Sequence, residues 1–430
     1  MLDGASYSSM LGLTQNYTTP YALAMNASTT QIGFLSGIPA IAMVLTQMVS
    51  PILVEKTGNR KGILLLAALL NTLMWLPILL IPYIFPSHQV WWLIAFITLL
   101  TAFDSMGNAP WNSMMADIVP VEVRGRYFAS RSRINNLVAL ILSFVAGGVL
   151  QALTKNGFIG FSIIFAGAMV SRFFSFYFLS QMAYPSVVVP KTKQASIFKL
   201  ATVLGSTNIG KYIIFNTLIN LSASFSGPFF SVYMLRDLKF SYLTYVIINA
   251  VNVLAMLIFM PFWGKRIDKA GSIKVMKAAS LFLPILPVLW LVSANVYYLC
   301  GVQVIGGFAW SGCVLALNLF LYYAAPVENR TRYIALSNAL MFGGAALGSL
   351  LGGILASIVP AIMMHRLLTI FLISGVARFL VVIVFMPGIS EVRQVPKTTY
   401  REILFGGVQF AGVKSFSSNI LHGFSKHKNK

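Results

Sequence analysis

Apolar runs of about 20 residues, separated by short polar breaks, recur along the whole chain. A run of about 20 apolar residues is the length that an α-helix needs to cross the hydrocarbon core of a bilayer. The composition agrees, because 57% of the 430 residues are hydrophobic and only 10% are charged, whereas a soluble domain carries about 25% charged residues. The sequence therefore predicts an all-α integral membrane protein.

The apolar runs and their breaks predict twelve spans. The first six lie near residues 3–25, 31–54, 62–85, 90–115, 127–152 and 159–183. The second six lie near residues 211–235, 241–263, 274–296, 298–322, 332–358 and 366–387. The predicted domains are an N-terminal six-helix bundle over 1–183, a cytoplasmic linker over 184–210, a C-terminal six-helix bundle over 211–387 and a basic cytoplasmic tail over 388–430.

Lysine and arginine favour one side of this map. Most of the 31 basic residues lie in the even-numbered connections and in the tail, whereas Lys155, Arg236, Lys239 and Arg366 fall on the other side. The positive-inside rule then predicts a multi-pass protein of the cell membrane with both termini in the cytoplasm. The net charge of +21 needs no nucleic acid as a partner, because these loops face an anionic inner leaflet.

The two halves of the chain resemble each other at an offset near 206. The segment 120–129 reads PVEVRGRYFA and the segment 326–335 reads PVENRTRYIA, so that seven of ten positions are identical. At the same offset, Arg172 in the sixth span pairs with Arg378 in the twelfth, each followed by Phe. Since each half holds an even number of spans, the halves are predicted to be parallel repeats, related by an axis along the membrane normal, with a substrate site between them near mid-membrane.

A second motif recurs at offset 213, after the second and eighth spans. The loop at 51–61 reads PILVEKTGNRK and the loop at 264–274 reads GKRIDKAGSIK, so that acid, base, any residue and glycine recur. This pattern resembles the G-x-x-x-D-K/R-x-G-R/K-R/K signature of the major facilitator superfamily, although the first copy departs from it at Pro51, Glu55 and Asn59. The resemblance implies alternating access around a central cavity lined mainly by spans one, four, seven and ten.

The loops between the spans are candidates for cytoplasmic gating. The resemblance implicates the loop after the second span in switching between inward and outward states, and an acid there could pair with a base or a helix N-terminus in one state only. The alternative is that these residues only fix topology. The candidates are Glu55, Lys56, Gly58, Arg60, Gly264, Asp268, Lys269, Gly271, Glu122, Arg124, Arg126, Glu328, Arg330 and Arg332.

Asp104 is the one acid predicted to lie near the bilayer midplane, about fourteen residues into the fourth span. An ionised group costs several kcal/mol at that depth, so Asp104 needs a partner or a proton. One hypothesis makes it a proton-coupling carboxylate or the counter-ion of a cationic substrate. A second pairs it with Arg172 as a buried structural ion pair, and a third makes it a solvated residue or one wrongly placed at this depth. The position equivalent to Asp104 in the second half is Trp310.

Other polar side chains are predicted at a similar depth. Amides and hydroxyls beside aromatic rings would suit a small, partly polar organic solute, and hydrogen bonding between helices is the alternative. Together with Asp104, the candidates for substrate or proton binding are Thr14, Gln15, Asn16, Asn108, Asn220, Ser222, Ser224, Trp310 and Ser311. The scarcity of charge among them argues against polyanionic substrates.

These features favour a secondary active transporter of a small organic solute, which could be proton-coupled. The alternatives are a transport-inactive receptor or scaffold on the same fold and an integral-membrane enzyme that modifies lipids. No enzyme activity, cofactor, metal site or nucleic-acid partner is predicted. The expected partners are a small-molecule substrate and the lipid bilayer, and the protein is expected to be monomeric.

Overall fold

Helices make up almost all of the regular structure. The computed structural model describes residues 1–182, 205, 207–326, 330–362, 365–396 and 399–405, except for the side chains at 116, 121, 122, 124, 125, 129, 331, 401, 404 and 405. The first half contains α1a (Leu2–Thr14), α1b (Thr18–Ala24), α2 (Thr29–Thr57), α3 (Arg60–Ile84), α4 (Gln89–Ile118), α5 (Val121–Ala152) and α6 (Ile159–Ser180).

The second half repeats this order, including the break in its first helix, and adds a π-helical turn and one further break. It contains α7a (Asn208–Ser224), α7b (Gly227–Val232) continued by a π-helical turn (Tyr233–Asp237), α8 (Tyr242–Ala270), α9a (Ser272–Ser280), α9b (Ile285–Leu289), α10 (Val296–Ala324), α11 (Arg330–Ile358) and α12 (Arg366–Phe385). A short helix, α13 (Tyr400–Phe405), follows. Most of the predicted linker and tail lies outside the described residues.

The helices begin and end at residues that satisfy their terminal backbone groups. The Ser28 hydroxyl accepts from the backbone N–H of Gln31, whose side chain accepts in return from the backbone of Ser28. Asn59 caps α3 by accepting from the backbone N–H of Gly62, 2.7 Å away. Gly58 ends α2 in the left-handed region at a φ of 66°, a conformation that a glycine adopts without strain. The α2–α3 turn is therefore specified locally by Gly58 and Asn59.

Eleven helices in the described part of the chain are long and apolar enough to span a membrane. The first span falls outside this set because it is broken into α1a and α1b, which together cover the length of a crossing. Its two pieces lie inside the bundle, where α1a packs against α5 and α6. The prediction of an all-α membrane fold with twelve spanning helices is confirmed, with the first helix interrupted.

Prolines account for three of the breaks. Proline has no N–H to donate to the carbonyl four residues earlier, and its ring clashes with that carbonyl. Pro20 follows the break between α1a and α1b, Pro228 follows the break between α7a and α7b, and Pro284 and Pro287 frame the start of α9b. Each break leaves backbone carbonyls inside the bundle that other residues satisfy.

The two halves pack their helices in the same pattern. In the first half α4 packs on α2 and α3, and α1a packs on α5 and α6. In the second half α10 packs on α8 and α9a, and α7a packs on α11 and α12. The halves meet where α2 lies along α11 and α5 along α8, with α7b contacting α1b and α2. The internal repeat of the sequence is thus a repeat of structure.

The molecule has two faces, which are named here by their loops. The basic face carries the α2–α3, α4–α5, α8–α9 and α10–α11 connections, and the opposite face carries the α1–α2, α5–α6, α7–α8 and α11–α12 connections. Large apolar side chains point outward between the two faces, including Ile258 at 69% and Leu45 at 59% exposure. Apolar surface of this kind, buried from water only by lipid, is what a spanning bundle presents to the bilayer.

Candidate functional site

A central cavity of about 720 Å³ lies between the two halves. The first half contributes residues of α1 and α5, and the second half contributes residues of α7, α8, α9b, α10, α11 and α12. Its polar residues are Gln15, Asn16, Asn136, Ser143, Ser224, Ser231, Asn249, Asn252, Gln303, Ser349 and Arg378, beside the rings of Phe230, Trp290 and Trp310. A cavity of about 300–1,000 Å³ with apolar walls and a few polar groups is typical of a small-molecule site.

The helix breaks leave two residues of the cavity wall with backbone carbonyls that lack their usual helical donor. Because Pro20 and Pro228 lack an N–H, the carbonyls of Asn16 and Ser224 have no intrahelical donor at position i+4. The Tyr245 hydroxyl donates to the Asn16 carbonyl at 2.9 Å, and the Ser349 hydroxyl donates to the Ser224 carbonyl at 3.4 Å. Asn16 and Ser224 both line the cavity. The two repeats therefore place equivalent helix breaks on the wall of one site.

Asp104 forms a buried cluster within the first half. Its carboxylate accepts a hydrogen bond of 2.8 Å from the Tyr7 hydroxyl and lies 3.5 Å from an Arg172 guanidinium nitrogen. The same guanidinium donates to Asn71 and Ser175 and stacks over the Tyr7 ring, 4.9 Å from its centroid. The side chain of Asp104 is 26% exposed and that of Arg172 is 7% exposed. The ion pair that the sequence offered as an alternative is thus present, and Asp104 does not line the central cavity.

Arg378, the repeat equivalent of Arg172, has a different environment. It is 3% exposed and lines the central cavity. Its guanidinium donates to the Leu283 carbonyl at 3.1 Å, to the Ser226 hydroxyl at 3.1 Å and to the Ala223 carbonyl at 3.4 Å. Its Nε has no hydrogen-bond partner, and no carboxylate of the described residues lies within ion-pair distance. Arg378 is therefore held by neutral groups alone.

The predicted binding residues divide into two groups. The structure brings Gln15, Asn16, Ser224 and Trp310 together on the cavity wall. The others lie elsewhere: the Thr14, Ser222 and Ser311 hydroxyls donate to backbone carbonyls of their own helices, Asn220 donates to Asn216, and Asn108 is exposed on α4. Hydrogen bonding within the bundle therefore accounts for most of this second group.

The expectation that span four lines the cavity is wrong for the described structure. No residue of α4 is on the cavity wall, because the Asp104 side of α4 is engaged by Tyr7 of α1a and Arg172 of α6. The walls instead include α5 and α8, whose polar residues were not among the predicted candidates. Asn249 and Asn252 are three positions apart on α8, and this helical spacing inside an apolar run was the available signal.

The loop candidates lie on the basic face. Arg60 is buried and pairs with Asp117 at 2.8 Å, joining α3 to α4. Several others are exposed there, namely Glu55, Lys56, Gly58, Asp268, Lys269 and Arg126. Gly264 faces Leu315, Gly271 ends α8 at a φ of 86° and contacts Glu391, and Arg330 and Arg332 are partly buried at the start of α11. Glu328 and the side chains of Glu122 and Arg124 lie outside the described residues.

A helix N-terminus on the basic face does hold an acid, but not a predicted one. The Glu391 carboxylate accepts from the backbone N–H of Ile273 at 2.9 Å and from the Ser272 hydroxyl at 3.2 Å, at the start of α9a. A carboxylate at a helix N-terminus satisfies free N–H groups and opposes the positive end of the helix dipole. The sequence hypothesis named Glu55 and Asp268 for this role, and both are exposed in this structure.

The halves contact each other closely on the opposite face. The Thr30 hydroxyl donates to the Gly353 carbonyl at 3.2 Å, and a Cβ on Gly33 would lie 2.6 Å from the Cα of Gly353. Val246 of α8 packs against Gly147 of α5. Glycines allow helix backbones to approach this closely. These contacts join the two halves on the opposite face.

Comparison with known proteins agrees with this architecture. A family model described as the MFS_1 like family matches residues 6–384. No curated protein sequence matches the chain.

Three similar solved structures are described as transporters. The nucleoside transporter NupG is 12% identical, with a TM-score of 0.69 over 90% of this chain and 98% of that chain. A bacterial homologue of the iron transporter ferroportin in an inward-facing state is 14% identical, with a TM-score of 0.70 over 91% and 97%. The inward-open xylose transporter XylE from E. coli is 14% identical, with a TM-score of 0.62 over 94% and 96%. These likenesses concern the fold. Because the family model covers nearly the whole chain, the chain belongs to the MFS_1 like family and is a multi-pass membrane protein with the major facilitator superfamily fold.

Proposed function

We propose that this protein is a secondary active transporter that moves a small organic solute by alternating access. The observation that carries the proposal is the cavity of about 720 Å³ between the two repeats, which contact each other on the opposite face. Walls contributed by both halves are what alternating access requires, because rocking one half against the other then exposes the same site to either side. The two halves, 1–183 and 211–387, are the proposed moving units.

The cavity walls suit a partly polar organic solute. Amide side chains such as Asn136, Asn249, Asn252 and Gln303 can both donate and accept hydrogen bonds. The indoles and the Phe230 ring offer flat apolar surface beside them. Gln15, Asn16, Ser224 and Trp310 are the sequence-predicted residues that we propose for substrate contact.

The orientation follows from the basic face. We propose that the basic face is cytoplasmic in the cell membrane, where its lysines and arginines meet an anionic leaflet, and that the protein works as a monomer. The contacts on the opposite face then make the described arrangement inward-open. In the outward-open state the basic face would have to close, and the exposed Glu55 and Asp268 are acids available there for contacts between loops.

We propose that Asp104 is the site of proton coupling. Protonation of its carboxylate would remove the negative charge that faces Arg172 at 3.5 Å. The Tyr7 hydroxyl that binds Asp104 belongs to α1a, the helix that also contributes Leu11 and Gly12 to the cavity wall. A change at Asp104 therefore has a short structural route to the substrate site through α1a. A cationic substrate is not expected to bind this carboxylate, because Arg172 is already paired with it.

The transport function is tested with purified protein. A library of small organic solutes is first scored by the thermal stabilisation that each gives the detergent-solubilised protein, because a ligand that binds only the native state raises its stability. Stabilising solutes are then assayed for uptake into proteoliposomes with and without a pH gradient. Saturable uptake supports transport. Stabilising solutes that never enter the vesicles would contradict it and favour a receptor.

Replacement of Asp104 by asparagine is expected to abolish the response of uptake to a pH gradient. The amide cannot take up the proton, and Arg172 loses its anionic partner. Loss of one partner of a buried ion pair destabilises a fold by about 3–5 kcal/mol. Because Asp104 is partly exposed, we expect this variant to lie toward the lower end of that range. Uptake is measured in proteoliposomes at several pH values with a solute that stabilises the protein and is transported by it.

Asp3→Asn is the matched control for Asp104→Asn. Asp3 is a buried carboxylate of the same half that pairs with an arginine, Arg131, at 2.8 Å. The same chemical change is made one turn before Tyr7 on α1a and leaves the Tyr7, Asp104 and Arg172 side chains in place, so Asp3→Asn should keep the pH response of the unmodified protein. An Asp104→Asn protein whose uptake follows pH as the unmodified protein does would refute the coupling proposal.

A further inference from the structure

The central cavity contains one charged side chain among its described lining residues, and that side chain is Arg378. The residue lies midway along α12 with 3% of its surface exposed. A buried cation without a compensating charge is unfavourable, and in proteins such a charge is normally paired. Arg378 therefore depends on the groups around it for stabilisation of its charge.

The groups that hold Arg378 are neutral, and they come from helix breaks. Pro287 has no N–H for the Leu283 carbonyl, which instead accepts from Arg378 at 3.1 Å. Ala223 and Ser226 stand at the break between α7a and α7b and supply a carbonyl and a hydroxyl. These neutral acceptors solvate the guanidinium in part but do not neutralise its positive charge. In the described structure its Nε has no hydrogen-bond partner.

The first half shows what the repeat does with the equivalent arginine. Arg172 has Asp104 at 3.5 Å, together with hydrogen bonds to two neutral side chains. At the position equivalent to Asp104, the second half has Trp310, which lines the cavity. The second half thus has an indole beside the cavity where the first half has a carboxylate. Arg378 therefore lacks the counter-ion that its equivalent, Arg172, has in the first half.

We propose that the substrate supplies this counter-ion, so that the cavity binds a small organic solute with a single negative charge, a monocarboxylate, with its anion at Arg378. This inference rests on the proposed function and narrows its substrate class. One guanidinium balances one charge, and the other polar residues of the wall are neutral amides and hydroxyls that suit the rest of an organic molecule. The rings of Trp290 and Trp310 give it an apolar surface.

Restoring the acid to the second half tests the proposal. Trp310→Asp places a carboxylate at the position equivalent to Asp104, where it is expected to pair with Arg378 and exclude a carboxylate ligand. Trp310→Asn makes the same loss of the indole without the charge and is the matched control. The probes are sets of an organic carboxylate, its primary amide and its amine, including benzoate, benzamide and benzylamine, scored by thermal stabilisation of the purified protein.

Carboxylates are expected to stabilise the unmodified protein, and to stabilise Trp310→Asn less because it lacks the indole of the cavity wall. They are expected to bind Trp310→Asp more weakly than Trp310→Asn by about 30-fold or more, the loss typical of a blocked charged pair. Arg378→Gln is expected to lose the same response. Should Arg378→Gln fail to fold, the comparison of the two Trp310 variants still decides. The proposal is overturned if no carboxylate stabilises the protein, if amides or amines do so equally well, or if Trp310→Asp and Trp310→Asn respond alike.

Uptake into proteoliposomes separates this proposal from the function on which it rests. Transport of neutral or cationic solutes without carboxylate binding would overturn the assignment of Arg378 and leave the transport function in place. Binding of carboxylates that depends on Arg378, without uptake of any of them, would uphold the site and contradict the transport function.

Discussion

Replacement of Gly348 by leucine is expected to prevent the protein from folding. Gly348 lies where α11 crosses α7a, and a Cβ there would sit 2.1 Å from the Leu221 carbonyl oxygen, far inside the usual separation of about 3.5 Å for non-bonded atoms. The obstacle is backbone, so no rotamer change relieves it. Gly344 and Gly352 face the same helix, with Cβ positions 2.8 Å and 2.2 Å from backbone oxygens. Separation at Gly348 would therefore disrupt the whole contact between α11 and α7a.

The measurement is the yield of monodisperse protein in detergent by size-exclusion chromatography. We expect Gly348→Leu to lower it by about tenfold or more, since abundance changes several-fold for each 1–2 kcal/mol of lost stability. Gly343→Leu, one turn away on the same helix, is the control, because a Cβ at Gly343 meets no atom within 4 Å. A normal yield of Gly348→Leu would show that α11 and α7a do not pack as described.

The twelve helices and their repeat could be predicted from the sequence because both depend on local or periodic information. A bilayer requires each span to be a helix of about 20 apolar residues, so the count of spans follows from hydropathy. The matched segments at 120–129 and 326–335 reveal the repeat without any knowledge of packing. The break in α1 was less accessible, since Pro20 alone does not say whether a helix bends or stops.

The candidate site was only partly predictable because side-chain direction is a property of packing. Asp104 and Arg172 were recognised as possible partners, but whether they meet depends on how α4 and α6 pack, and the structure brings them to 3.5 Å. The cavity wall includes α8, whose Asn249 and Asn252 resemble ordinary interhelical amides in sequence. Arg378 was noted only as a twin without an acid, and its place on the cavity wall comes from the structure.

Replacement of Gly353 by leucine is expected to leave the protein folded but to abolish transport. Gly353 is on α11 like Gly348, yet it faces α2 of the other half, where a Cβ would lie 2.8 Å from the Cα of Gly33. The clash falls between the two moving units rather than within one of them. Overpacking costs about 1–3 kcal/mol, which shifts an equilibrium between two states by about 5- to 150-fold. The population should therefore move away from the arrangement in which the opposite face is closed.

Thiol labelling from each side measures this shift. In a background of Cys300→Ser and Cys313→Ala, Ser224→Cys places a reporter on the cavity wall. A membrane-impermeant thiol reagent should reach it from the basic face in that background and from the opposite face once Gly353→Leu is added, with uptake falling by about tenfold or more. Gly343→Leu should label as the background does. Labelling from the basic face with normal uptake would mean that closure at Gly33 and Gly353 is not part of the transport cycle. Gly348 and Gly353 are five residues apart on one helix. If Gly348→Leu loses folding and Gly353→Leu loses transport, the contacts within one half stabilise the fold, whereas the contacts between the halves form and break during transport.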